Sequence, residues 1–149
     1  MRIYLACTVR GNRGGLNAAR RLAAHLEFRG HEILTSHLLG DDVEQAEAAL
    51  SEREVFERDV RWLDACDVLI AEASGSSYGV GFEVGYITGR AALTGQRVLL
   101  LFDAVRHGAI SRMASGNTHS ACAILAYHDV DEIIAFLDRH LSPSDKLIG

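Results

Sequence analysis

Two acidic side chains stand where solubility does not require them. Glu83 lies within SSYGVGFEVG (residues 76–85), among glycines and small hydroxyl residues that run into a segment of helical character. In the first turn or so of that helix, the partial positive charge of aligned peptide dipoles favours an ionised carboxylate, which at a strand's carboxyl end is a candidate nucleophile or base. The position equally suits an ordinary first-turn acid. Asp59 lies four residues after Val55 and four before Leu63, inside the apolar stripe Val55, Phe56, Val60 and Leu63 of a helix over residues 52–65. An acid on a buried face requires a partner or a task. Either it pairs with an arginine, with Arg10, Arg58 and Arg61 within reach, or it faces a crevice beside Glu83. Two carboxylates in one cleft supply a nucleophile and an acid/base or orienting partner, the arrangement suited to glycosyl transfer through an oxocarbenium-like transition state.

These residues need elements that bring them together. RIYLA (2–6) reads as a first strand, and LNAARRLAAHLEFRG (16–30) as a helix with Leu16, Ala19, Leu22, Ala23 and Leu26 on one face and a stop at Gly30. HEILTS is a shorter strand, Ser51 and Glu54 form a capping box for the helix carrying Asp59, and DVLIAE (67–72) and RVLLLF (97–102) are apolar runs of the kind covered on both faces. A helix from the Glu83 segment to Gly95, the strand CAILAY (122–127) and the helix VDEIIAFLDRHL complete the pattern. Strand and helix alternate five times, which predicts a flavodoxin/Rossmann-like, doubly wound α/β fold: a five-stranded parallel sheet with helices on both faces, one domain over residues 1–149. In strand order 2-1-3-4-5 the ligand crevice opens between strands one and three, under the loops CTVRGNRGG (7–15) and ASGSSYGVG (73–81). Both loops carry the glycines, hydroxyls and arginine that hold a phosphate.

Several function classes are excluded or disfavoured. A net charge of −5 provides no global field for nucleic acid or an anionic membrane. No stretch approaches the roughly 20 apolar residues of a membrane span, and the start is too short in apolar run for a signal peptide. Cys7, Cys66 and Cys122 are widely spaced with no CxxC, which predicts buried free thiols in a reducing cytoplasm. The glycines 79, 81 and 85 miss the dinucleotide fingerprint by one residue and follow the wrong strand, and no phosphate-loop lysine motif occurs. The seven histidines show no metal-ligand spacing, so no metal or cofactor is expected. Phe56 and Trp62 read as core. The acidic stretch over residues 40–54 reads as a solvated loop and helix start, placed to form a lid.

The segments YLACTVRG, LTSH, ERDVRWLDACDVLIAE and SSYGVGFEVG, in this order and spacing, resemble the nucleoside 2-deoxyribosyltransferase superfamily and, within it, the 2′-deoxynucleoside 5′-phosphate N-hydrolases. The resemblance spans residues 4 to about 90, and its most specific element is the Asp59 to Glu83 separation with the GVGFEVG box. It implies that Glu83 is the nucleophile that attacks C1′ and forms a glycosyl ester, that Asp59 assists departure of the base, and that Tyr4 lines the site. It also implies that Thr8, Arg10, Gly11, Ser77 and Gly79 surround the 5′-phosphate, and that Ser120 reaches the phosphate of the neighbouring subunit in a homodimer. Ser77 separates two branches: the transferases carry an aspartate there, which would repel a phosphate, whereas a hydroxyl donates to it. Cys7 and Thr8 depart from the family's small residue and serine, which implies a tighter phosphate pocket. His37 and Asn117 are possible base or sugar contacts. The expected activity is metal-free hydrolysis of a nucleoside 5′-monophosphate at its N-glycosidic bond. A deoxyribosyltransferase that exchanges bases is the alternative, and a non-catalytic nucleotide-binding module on the same fold is a second.

Overall fold

Runs of apolar residues with no polar side chain to offer to water are stable as strands only when helices cover both faces. In the computed structural model, which describes residues 1–8 and 15–142, these runs become β1 (Arg2–Ala6), β3 (Val68–Glu72) and β4 (Arg97–Asp103), flanked by β2 (Glu32–Ile33) and β5 (Cys122–Tyr127). The sheet is parallel throughout in the order β2-β1-β3-β4-β5, the doubly wound arrangement expected from the alternation.

Side-chain alternation divides the core into two layers. Ile3, Leu5, Ile70 and Leu99 point toward α1 (Leu16–Phe28) and α6 (Val130–His140), while Tyr4, Ala6, Leu69 and Leu100 point toward α3 (Glu52–Ala65) and α4 (Tyr78–Thr94). Tyr4 therefore belongs to the same layer as the helices that carry Asp59 and Glu83. It lies at mid-strand, paired with Leu69, rather than at the strand's end.

The second strand is shorter than HEILTS predicts. After Ile33 the hydroxyl of Thr35 donates to the Leu5 carbonyl at 2.7 Å and accepts from the Leu5 amide at 3.0 Å, so one side chain satisfies both groups that a longer ladder would have paired. Released from the ladder, the chain forms a 3₁₀ turn over Ser36–Leu39. The acidic stretch is not a simple solvated loop: it contains α2 (Val43–Ala48), which buries Val43 and Glu47. Phe56 is not core. It is 55 % exposed and meets Phe82 with ring centroids 6.1 Å apart. Trp62 is half-buried against the α3/α4 layer, and Leu16 is half-buried while Ala18 joins the buried face of α1. The capping box forms as expected, with the Ser51 hydroxyl accepting from the Glu54 amide and the Glu54 carboxylate accepting from the Ser51 amide. Between β4 and β5 the chain makes a 3₁₀ turn and the short α5 (Arg112–Ser115). Cys7 and Cys66 are buried and Cys122 is half-buried. No helix among the described residues is long and apolar enough to cross a membrane.

At the carboxyl end of β3, Glu72 is almost wholly buried. Its Oε1 accepts hydrogen bonds from the Ser74 and Tyr127 hydroxyls, the latter at 2.9 Å. Burial raises its pKa and the two hydroxyls oppose that rise. The carboxylate lies against Gly15, the N-cap residue of α1, a helix with no side-chain cap and no acid in its first turn. Glu72 thus supplies from another element the negative charge that the α1 N-terminus lacks. A Cβ at residue 15 would fall inside this carboxylate. Gly15→Ala should accordingly lower unfolding free energy by about 1–3 kcal/mol, read as a lower urea midpoint at unchanged slope; an unaltered midpoint would contradict the packing described.

Candidate active site

A cleft of about 660 Å³ opens beside the carboxyl ends of β1 and β3, walled by α2, α3 and the start of α4. Asp59 and Glu83 both line it, so the crevice at the switch in strand order is where the two acids meet.

Glu83 reaches the cleft by a different route from the one its sequence position predicts. Ser77 is the N-cap of α4, so the first turn begins at Tyr78 and contains no acid; Glu83 is in the second turn. The helix dipole acts mainly within the first turn and is not what orders this carboxylate. Tyr4 does that instead, donating its hydroxyl to Glu83 Oε1 at 2.6 Å. Burial lifts the Glu83 pKa from 4.5 to about 7, opposed by the Tyr4 hydrogen bond and reinforced by the charge of Asp59. The Tyr4 hydroxyl is itself pushed upward, first by burial and then by the Glu83 and Asp59 charges, so it remains a donor.

For Asp59 both readings of the sequence hold together: it faces the cleft, and it pairs with an arginine. Arg58 Nε donates to Asp59 Oδ1 at 2.8 Å, while Nη1 and Nη2 donate to the two carboxylate oxygens of Glu47 at 2.8 and 3.2 Å. The guanidinium lies over the Trp62 ring, 5.0 Å from its centroid. Burial raises the Asp59 pKa, the Arg58 hydrogen bond and charge lower it, Glu47 raises it and His37 lowers it. His37 meets Trp62 in a tilted contact, ring centroids 5.1 Å apart, and its Nε2 is 3.4 Å from Glu47 Oε1, a support to the cluster rather than a wall of the cleft. Glu47 is the residue the sequence reading missed. Its signal was of the same kind as that of Asp59: Val43, Glu47 and Leu50 share a helical stripe, which places an acid among apolar positions.

Of the two hydroxyl residues expected at the phosphate, Ser77 lines the cleft and Thr8 does not. Thr8 is buried just beyond β1, and its Oγ1 has no hydrogen-bond partner among the described residues. Ser77 and Gly79 line the cleft, and the Ser77 hydroxyl accepts from the Gly79 amide at 3.2 Å, which leaves its proton available to a ligand. Ser76, which precedes this cap, holds φ at +54°, an uncommon conformation for a residue with a side chain. Arg10 and Gly11 lie outside the described residues. A second cavity, of about 650 Å³, adjoins the first at Ser77 and lies on the far side of the α4 N-terminus. Asn117 lines this second cavity and not the first. The exposed Ser120 lines neither.

The raised Glu83 pKa has a measurable consequence for stability. Between pH 4.5 and about 7 the folded chain keeps a proton that the unfolded chain releases, so this residue's contribution to stability falls as pH rises through that window. Glu83→Gln should unfold at a higher temperature than the wild type at about pH 8, with the difference vanishing by about pH 4. Thermal scans at both pH values test this, and equal differences at the two would contradict a desolvated, titrating Glu83.

The chain as a whole has relatives among known proteins. The family model of nucleoside 2-deoxyribosyltransferase matches residues 3–136. A Thermofilum pendens protein with the provisional name 2′-deoxynucleoside 5′-phosphate N-hydrolase 1 is 43 % identical over 97 % of each chain. The 5-hydroxymethyl-dUMP N-hydrolase of Homo sapiens is 30 % identical over 93 % of this chain and 78 % of its own. In fold, the chain is similar to the CMP N-glycosidase BcmB of Clostridium botulinum, with a TM-score of 0.66 at 20 % identity over 94 % of this chain and 99 % of that one. Since the matched region runs from β1 through most of α6 and so takes in both carboxylates, this chain belongs to the nucleoside 2-deoxyribosyltransferase family.

Proposed function

We propose that the chain is an N-glycoside hydrolase that splits nucleoside 5′-monophosphates, with 2′-deoxynucleotides the first class to test, into free base and sugar 5-phosphate. The observation that carries this reading is the pair of carboxylates in one cleft, Glu83 with the Tyr4 hydroxyl on one oxygen and Asp59 opposite on α3. Glu83 attacks C1′ as the C1′–N bond breaks, giving a glycosyl ester; Asp59 hands a proton to the departing base and then takes one from the water that hydrolyses the ester. Glu83 returns as the carboxylate. Because Glu83 must be ionised to attack, its raised pKa places the acid limb of the rate profile near neutrality. The names of the relatives in Thermofilum and Homo sapiens support the choice of a phosphorylated substrate.

Ser77 and Thr8 are assigned to the 5′-phosphate, with Arg10, Gly11 and Gly79. The buried, unpartnered Thr8 hydroxyl supports this, as does a serine rather than an acid at residue 77. We assign Ser120 to the site of a second copy in a homodimer. Its exposure supports that reading, as do the fully exposed Tyr78, the open space over Gly81 and Gly85 and the second cavity, which together present an apolar face of α4 to a partner. The wide spacing of the three cysteines, with no CxxC, supports a reducing, cytoplasmic setting.

Incubation with ribo- and deoxyribonucleoside 5′-monophosphates, with and without an added free base, tests the reaction by chromatography of the released base. Release should need no acceptor and should fall by more than about 10³-fold in Glu83→Ala. Ser77→Asp should lower kcat/KM for the monophosphate at least about tenfold relative to the unphosphorylated nucleoside, through like-charge repulsion. Release that occurs only with an acceptor base would make the protein a transferase. Nucleotide binding that survives Glu83→Ala, with turnover in neither form, would make it a binding module.

A further inference from the structure

Asp59 has one hydrogen-bond donor among the described residues, and that donor is its own sequence neighbour. Adjacent residues on a helix point about 100° apart, so Arg58 has to bend back across α3 to reach it. Something must hold the arginine in that bent conformation. Glu47 does so from α2 with both carboxylate oxygens, and the Trp62 ring supports the guanidinium from below. Glu47 and Arg58 are the more enclosed members of the group, with side chains 9 % and 17 % exposed against 24 % for Asp59. Three donors of one planar fork are thereby divided between a carboxylate that lines the cleft from α2 and one that lines it from α3.

We infer that Arg58, clamped by Glu47, is the positioning residue of Asp59, so that the Asp59 carboxylate is aimed at the substrate only while α2 is docked against α3. This rests on Asp59 acting in the reaction proposed above. The groups facing Asp59 are Arg58 on α3, Glu47 on α2, His37 in the 3₁₀ turn, Tyr4 on β1 and Glu83 on α4. Arg58 and Glu47 act on its proton affinity with opposite signs: the arginine lowers it and the glutamate raises it.

The Asp59 carboxyl can be followed directly by ¹³C NMR titration, assigned with Asp59→Asn. Glu47→Gln should move its titration to lower pH, because the competing negative charge is gone while Arg58 remains. The double variant Glu47→Gln/Arg58→Met should move it to higher pH, and avoids leaving Glu47 buried without its cation. Arg58→Lys, which keeps the charge but not the fork, should lower kcat on the order of 10²-fold with KM changed by less than about threefold. A titration that is unmoved, or that moves the same way in both Glu47 variants, overturns the inference, as does an Arg58→Lys enzyme with native kcat. The titration needs no turnover, so base release that survives Glu83→Ala would remove the proposed reaction and leave the role of Arg58 to be judged separately.

Discussion

Glu83 is a half-buried carboxylate on α4 beside the central strands of a parallel sheet, and the hydroxyl of Tyr4 at 2.6 Å is the hydrogen bond that makes its desolvation tolerable. Much of the surrounding structure serves that pairing. Tyr4 must be on the α4 side of β1, which the two-residue period of the strand ensures as long as Ile3 and Leu5 occupy the other layer. β1 must lie beside β3, because the turn after β3 launches α4 with Glu83 in its second turn. A one-residue slip in β1 would turn Tyr4 into the α1/α6 layer and leave Glu83 without its donor.

α4 accepts a poor sequence for a helix in order to reach the cleft. Gly79, Gly81, Gly85 and Gly89 each weaken it by about 1 kcal/mol relative to alanine, and its first turn carries no acid to favour the dipole. It is held by its buried stripe, Val80, Val84, Ile87 and Ala91, against the sheet, and by the left-handed Gly95 that ends it. Tertiary burial therefore outweighs local propensity here. The glycines at 81 and 85 leave the outer face low enough for another backbone to approach closely.

The Asp59 side of the cleft is organised by charge rather than by burial. α3 fully buries only Leu63, and the cluster of Glu47, Arg58 and Asp59 ties it to α2 across the cleft. Two carboxylates, Glu47 and Asp59, share one guanidinium here, and a third, Glu83, lines the same cleft. Clustered carboxylates of this kind favour orientation and proton chemistry over simple retention of an anion. Glu72, buried beneath α1, repeats the pattern of an acid with a structural task at a strand's carboxyl end.

The sequence by itself determined the parallel α/β fold, because the apolar runs, helical stripes, the Ser51 capping box and the stops at Gly30 and Gly95 are local signals that no distant contact overrides. It also made Asp59 and Glu83 stand out, since an acid in an apolar stripe or in a glycine-rich turn is visible without coordinates. The length of β2 was not legible, because it is set by the Thr35 hydroxyl bonding across to Leu5, a contact 30 residues apart. Nor was the exposure of Phe56, whose stripe position reads as core although no layer covers it. What only the tertiary structure decided was partnership: that Tyr4 rather than a helix dipole holds Glu83, that Asp59 answers to both an arginine and the cleft, and that Glu47 belongs with them. Spacing along the chain fixes which face a residue occupies, but the residue met across that face depends on how strands and helices pack.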